Sequence, residues 1–327
     1  MKIKLSRLRV SSLLTILVMT FGLGLVHGAS STGSHEALFP DLRTFRWHAG
    51  AKSCDEDKNP AIQSVQVDES TFVLRQNKCT TFEAPFIYVL AGSDAVLVLD
   101  TGAIESSEQS PVYQHVRTLV ERLENSQNNQ DRKLLVLHSH SHSDHTKGDA
   151  QFEGKQNVEL VGTYQDDIIK WFAFDKWPLG QSTINLGGRK ITVLPIPGHQ
   201  DQSIALYDEQ TNWLLTGDTL YPGSIRVKDW DEFKSSIHRL NQFVSQNPVS
   251  LLLGSHIEMN ATTHKIYSIG STYQPDETPL ALKVAHLEAL DAKLQSTAKS
   301  RKIKFDSFEI APLSFFEKMI IKAMTRE

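Results

Sequence analysis

Histidine and aspartate crowd one stretch of this chain. The run His140-Ser141-His142-Ser143-Asp144-His145 places four metal-competent side chains within six residues, in the pattern H-x-H-x-D-H. Imidazole and carboxylate are common nitrogen and oxygen ligands of zinc. A buried strand does not carry four groups this costly to desolvate, and a solvated loop has no need of the spacing. On an extended segment residues i and i+2 project to the same side. His140 and His142 can therefore grip one ion. Asp144 and His145 follow where the chain turns and can reach a second.

Such a cluster has to be carried by regular elements. Just before it, Lys133-Leu134-Leu135-Val136-Leu137 reads as a short buried strand. Gly148 and a polar stretch follow, so the cluster sits where a strand ends and a loop begins, a common place for sites in α/β folds. Residues 65–74 and 86–100 are rich in β-branched and aromatic side chains and read as strands. Residues 111–124 carry Val112, Val116, Leu119, Val120 and Leu123 at helical spacing. Residues 158–162 read as a strand and 164–172 as a helix. A second strand group covers 183–186, 190–194, 203–207 and 213–216. A helix with an acidic start follows over 229–245, then a strand over 251–253. Two strand clusters flanked by helices predict a β-sandwich with helices outside.

The segment 137–148 resembles the signature of the metallo-β-lactamase-fold hydrolase superfamily. Four further stretches resemble that pattern in order: the 95–100 strand with Thr101-Gly102, Pro197-Gly198-His199, Leu214-Leu215-Thr216-Gly217-Asp218-Thr219, and Leu251-Leu252-Leu253-Gly254-Ser255-His256. The resemblance covers about residues 86–256, roughly half the chain. It implies an α+β protein with the αββα metallo-β-lactamase-type sandwich, to which the later residues would add peripheral C-terminal helices. It also implies two zinc ions. His140, His142 and His199 would hold the first, Asp144, His145 and His256 the second, and Asp218 would bridge them. Each ion then keeps room for water, as a catalytic site requires. A water shared between two such ions is acidified enough to attack a carbonyl, and Asp144 could orient it or accept its proton.

Outside that context several of these residues mean little. His199 after Pro-Gly, Asp218 after Thr-Gly, and His256 are each ordinary turn residues on their own. His138 shares the parity of His140 and reads as a strand-end histidine behind the site. His115, His238, His264 and His286 lie in helix-like or polar stretches and receive no function. Tyr221 lies three residues after Asp218, the spacing at which lactonases that the chain resembles place a carbonyl-polarising tyrosine. Its phenol would stabilise an oxyanion, or the ring simply packs beside Pro222.

Composition narrows the class. The chain has 327 residues, 40% hydrophobic and 22% charged, ordinary for a globular protein. Lys2, Lys4, Arg7 and Arg9 precede an apolar run of 14 residues over 13–26, and Val26-His27-Gly28 leads to a plausible cleavage point. This reads as a signal peptide over 1–28, ahead of a domain over 29–327, and places the protein in the periplasm or outside the cell, with no stable membrane anchor after cleavage. Removing the four leader cations takes the formal charge from −4 to about −8, a poor basis for binding nucleic acid. In an oxidising compartment Cys54 and Cys79 would pair, closing a loop worth about 3 kcal/mol; the alternative is two buried thiols.

After residue 256 a helix is expected from Asp276-Glu277-Thr278-Pro279 to about residue 299, with a helical addition over 257–327. Residues 308–324 would be a packed helix or a surface for a partner. The function implied is an exported hydrolase of a small-molecule ester, lactone, thioester or lactam. An iron sulfur dioxygenase holding one iron ion, or a β-lactamase, is the alternative. An aspartate at 218 fits lactonases and glyoxalase-type hydrolases better than the lactamases, which place cysteine or serine there.

Overall fold

The computed structural model describes residues 39–127, 132–314 and 317. The leader expected over 1–28 and the apolar residues Phe315, Phe316, Met319, Ile320 and Ile321 lie outside the described residues or carry no described side chain.

Among the described residues, fifteen strands and five α-helices follow in chain order. The first half holds β1 (Ile62–Asp68), β2 (Thr71–Gln76), β3 (Phe86–Ala91), β4 (Ala95–Leu99), α1 (Val112–Gln127), β5 (Lys133–Leu137), α2 (Ser143–Thr146), β6 (Val158–Leu160) and α3 (Gln165–Phe172). The second holds β7 (Ser182–Asn185), β8 (Lys190–Pro195), β9 (Ile204–Asp208), β10 (Trp213–Gly217), β11 (Ser224–Val227), α4 (Trp230–Gln246), β12 (Leu251–Gly254), β13 (Ala281–Leu282), α5 (Val284–Gln295), β14 (Ile303–Lys304) and β15 (Glu309–Pro312). One six-stranded sheet runs β1 to β6 in order, and a second runs β13-β12-β10-β9-β8-β7.

The layers follow from alternation along the strands. In β4, Leu97 and Leu99 face the other sheet while Val96 and Val98 meet α1. In β9, Leu206 faces inward, and Ala205 and Tyr207 meet the apolar face of α4, with Phe233, Ile237 and Leu240. Leu215 and Leu253 repeat this against Leu214 and Leu252 in β10 and β12. Strands buried on both faces need apolar residues at every position, which is why these segments read as continuous hydrophobic runs. The five periodic side chains expected on α1 are all buried against the first sheet. Asp229 caps α4, its side chain accepting from the amides of Asp231 and Glu232 at 3.0 and 2.9 Å. Helix, sheet, sheet, helix is the αββα order that the sequence predicts.

Several expectations are corrected. The stretch 65–74 is not one strand but the inner part of the β1–β2 hairpin, with its turn at Glu69 and Ser70. The C-terminal helix does not begin at Asp276–Pro279. Glu277 is bridged to Asn260, and Ala281–Leu282 pair with β12 as an edge strand, so the helix starts only at Val284. The amide of Lys283 donates to His286 Nδ1 at that start, 2.9 Å away. The addition is therefore not purely helical. Beyond α5, β14 and β15 join β11 in a three-stranded sheet, so residues 309–312 are strand rather than helix.

Candidate metal centre

The parallel pairings of β4 with β5 and of β10 with β12 align the C-terminal ends of these strands. The turns beyond them carry the predicted residues. His140 and His142 follow β5, and α2 then carries Asp144 and His145. His199 lies between β8 and β9, Asp218 follows β10, and His256 follows β12. Two glycines allow the approach. Gly217 has φ 52°, and a Cβ there would lie 2.6 Å from the Ser139 Cβ. Gly198 has φ 135°, and a Cβ would lie 2.3 Å from the Phe233 Cα.

All seven predicted ligands meet, in two sets that share Asp218. In the first, His142 Nδ1 lies 2.9 Å from His140 Nε2 and 3.2 Å from His199 Nε2. Asp218 Oδ2 lies 3.9 and 3.7 Å from those two Nε2 atoms. In the second, Asp144 Oδ2 lies 3.2 Å from His145 Nε2 and 3.1 Å from His256 Nε2. Asp218 Oδ1 completes that set at 3.5 and 3.4 Å from the same nitrogens. The two oxygens of one carboxylate are thus divided between the two sets.

Away from the centre, most ring nitrogens are tied to the fold. His199 Nδ1 donates to the Arg226 carbonyl at 2.7 Å, and His256 Nδ1 to the Glu83 carbonyl at 3.1 Å. His145 Nδ1 donates to Asp100 Oδ2 at 2.8 Å. His140 Nδ1 reaches Ser139 Oγ at 3.1 Å, which donates to the same Asp100 oxygen at 2.9 Å. His142 turns its Nε2 to the side chain of Gln200. Such outer partners set the tautomer and aim of metal-binding histidines. Asp100 backs one histidine of each set, and sequence reasoning missed it. A signal existed in Asp100-Thr101-Gly102, directly after a strand, and Asp100 adopts φ 69° where a non-glycine residue is uncommon.

Electrostatics differ between the sets. Burial pushes His142 down to about 3, with His199 adding to it. Burial and the neighbouring histidines hold His140 well below the usual range. Burial opposes the charge on His256, yet Asp218 and Asp144 raise it to about 9. His145 rises against burial in the same way, through Asp144 and Asp100. Asp218, also against burial, is held well below the carboxylate range by His256 and His145. Asp218 Oδ1 is buried and accepts no hydrogen bond. An unsatisfied carboxylate oxygen among converging imidazole nitrogens is the environment that a bound cation would satisfy.

Residues 80–256 match the sequence model of the metallo-beta-lactamase superfamily. The chain belongs to that superfamily. Within it, the acyl-coenzyme A thioesterase MBLAC2 of Homo sapiens is 26% identical over 57% of this chain and 77% of its own length. A hydroxyacylglutathione hydrolase of Anaeromyxobacter dehalogenans (strain 2CP-C) is 35% identical over 28% of this chain and 34% of its own length. Among solved structures, a metallo-beta-lactamase from Pontibacter korlensis aligns with TM-score 0.47 and 15% identity, over 72% of this chain and all of that one. The hydrolase expected from the sequence agrees with this superfamily membership and with both relatives, which are named as a thioesterase and a hydrolase.

Tyr221 is placed differently from an oxyanion donor. Its ring packs edge-on to His256, with centroids 5.5 Å apart. Its hydroxyl lies 2.9 Å from the Ser224 carbonyl, to which it donates, and 3.2 Å from Glu258 Oε2. The packed alternative is the one these hydrogen bonds describe. His138 is buried behind the site as expected, against Asp149. His115, His238 and His286 lie on α1, α4 and α5, and His264 in a turn.

Proposed function

We propose that this protein is an exported, binuclear zinc-dependent hydrolase of small acyl thioesters. The observation that carries the reading is Asp218, whose two carboxylate oxygens face two histidine and aspartate clusters that could each hold an ion. Imidazole and carboxylate donors suit zinc. Two such ions would supply Lewis acidity toward a carbonyl and an acidified water at neutral pH. The residues of the chain do the rest. Asp144 is the most exposed carboxylate of the centre, at 13%, and from there it orients water and accepts its proton. Asp100 and the Glu83 and Arg226 carbonyls hold the imidazoles in place. Tyr221 supports His256 from beside it.

The choice of thioester rests on the two relatives, one named a thioesterase and the other a hydrolase of an acylated glutathione. Export rests on the basic and apolar stretch over 1–28. The Cys54–Cys79 disulfide, with S–S 2.15 Å, suits an oxidising compartment. The test is release of thiol or acid by the zinc-loaded protein across thioesters, lactones, simple esters and β-lactams. Turnover fastest on thioesters and abolished by a chelator is expected. Turnover of another bond alone would overturn the substrate class, and none at all would overturn the hydrolase.

A further inference from the structure

Helix α2 carries Asp144 and His145 yet has four residues and no side-chain cap at His142. It runs directly into a 3-10 turn, Lys147–Gln151, and short helical turns gain little stability on their own, because closing the first turn costs more than it returns. Its aim is imposed from outside. Asp100 supplies one side through His145 Nδ1. On the other side lies a group of residues that the proposed chemistry leaves unused: buried His138 and Thr101 around the half-buried Asp149.

The Thr101 amide donates to the His145 carbonyl at 2.8 Å, and the Gly148 amide to the Gly102 carbonyl at 3.3 Å. Thr101 Oγ1 donates to Asp149 Oδ1 at 2.7 Å and lies 3.1 Å from the His145 carbonyl. His138 Nε2 donates to that same Asp149 oxygen at 2.8 Å. Thr101 is fully buried, and the His138 side chain is 2% exposed. Asp149 lies in the 3-10 turn directly after α2, while His138 follows β5 and Thr101 follows β4. One carboxylate oxygen therefore joins the ends of two neighbouring strands to the turn that bears two ligands.

We infer that His138, Asp149 and Thr101 are positioning residues for the second ligand set, fixing Asp144 and His145 without touching the ion. The inference rests on the reading that Asp144, His145, Asp218 and His256 hold that ion. It predicts a selective loss, because none of the three residues hydrogen-bonds a member of the first set.

The test is zinc titration of the metal-free full chain against a chromophoric chelator, with melting temperature recorded alongside. Asp149→Ala should weaken the second zinc by about 10- to 100-fold and leave the first unchanged, as loss of an outer partner does. Asp149→Asn keeps an oxygen acceptor and should lie between Asp149→Ala and the parent. His138→Gln keeps a donor and should recover most of what His138→Ala loses. Equal weakening of both zincs, or an unchanged second zinc in Asp149→Ala, overturns the inference. If Asp149→Ala does not fold, Asp149→Asn and His138→Gln carry the test, and no difference between His138→Gln and His138→Ala overturns it. A parent protein that binds only one zinc would overturn the underlying reading instead.

Discussion

The two ligand sets share an aspartate but are built for different states. The first is three imidazoles whose protonated forms are suppressed by burial and by each other, His142 down to about 3. The second pairs Asp144 with two imidazoles that carboxylates hold charged, His256 up to about 9. Near neutral pH the first set offers free lone pairs, and the second offers nitrogens that carry protons. Burial is similar in both, so the neighbouring charge decides. An ion entering the second set must displace protons that the first set does not hold.

Asp218 belongs to both sets, so its loss should be the most damaging. Asp218→Ala is expected to lower kcat/KM by about three orders of magnitude or more and to reduce bound metal below two ions, as metal analysis and kinetics would show. Full activity in this variant would break the comparison at its root.

Asp100→Asn sharpens it. Asp100 reaches His145 directly and His140 only through Ser139. Affinity should fall by about 10- to 100-fold at the second set and by less at the first. Equal losses in a two-step metal titration would mean that the relay through Ser139 is as strong as the direct bond.

Proton competition gives a third test, and its sign is fixed by the raised values. Because His256 titrates near 9 and His145 is also raised, lowering pH from 9 toward 6 should weaken the second ion by roughly tenfold per unit for each proton displaced. The first ion should stay nearly constant over that range, since its histidines are already neutral. Chelator competition at several pH values measures both slopes, and parallel slopes would refute the distinction.

The smallest effect is expected at Tyr221. Tyr221→Phe removes a hydroxyl bonded to the Ser224 carbonyl and Glu258. It should cost about 1 kcal/mol of stability by denaturation and change kcat little. A large fall in kcat at unchanged stability would restore the oxyanion role.

Much of the fold was legible because both faces of the central strands are buried. β5 is Lys133–Leu137 as read, and α4 begins at the acidic cap expected at Asp229. The C-terminal part was not legible. Asp276-Glu277-Thr278-Pro279 has the composition of a helix start, yet Glu277 is drawn into a buried bidentate pair with Arg75, at 2.6 and 2.7 Å, and a further contact with Lys78 at 3.2 Å. A long-range ion pair overrode local propensity. β11 and β15 were missed for a related reason, since each is four residues long and pairs with a partner more than 80 positions away.

The sequence by itself singled out the candidate ligands. Four of them are local, since donor chemistry resides in side-chain type and they share the H-x-H-x-D-H run, while His199, Asp218 and His256 are picked out by the family resemblance. Only the tertiary structure decided how they are held. The shared use of Asp100, the backing of His256 by the Glu83 carbonyl and the joining of His138, Thr101 and Asp149 connect residues 11 to 173 positions apart. No local pattern encodes such contacts. They exist because parallel strand pairing brings the ends of distant strands to one edge, where buried polar groups must find one another.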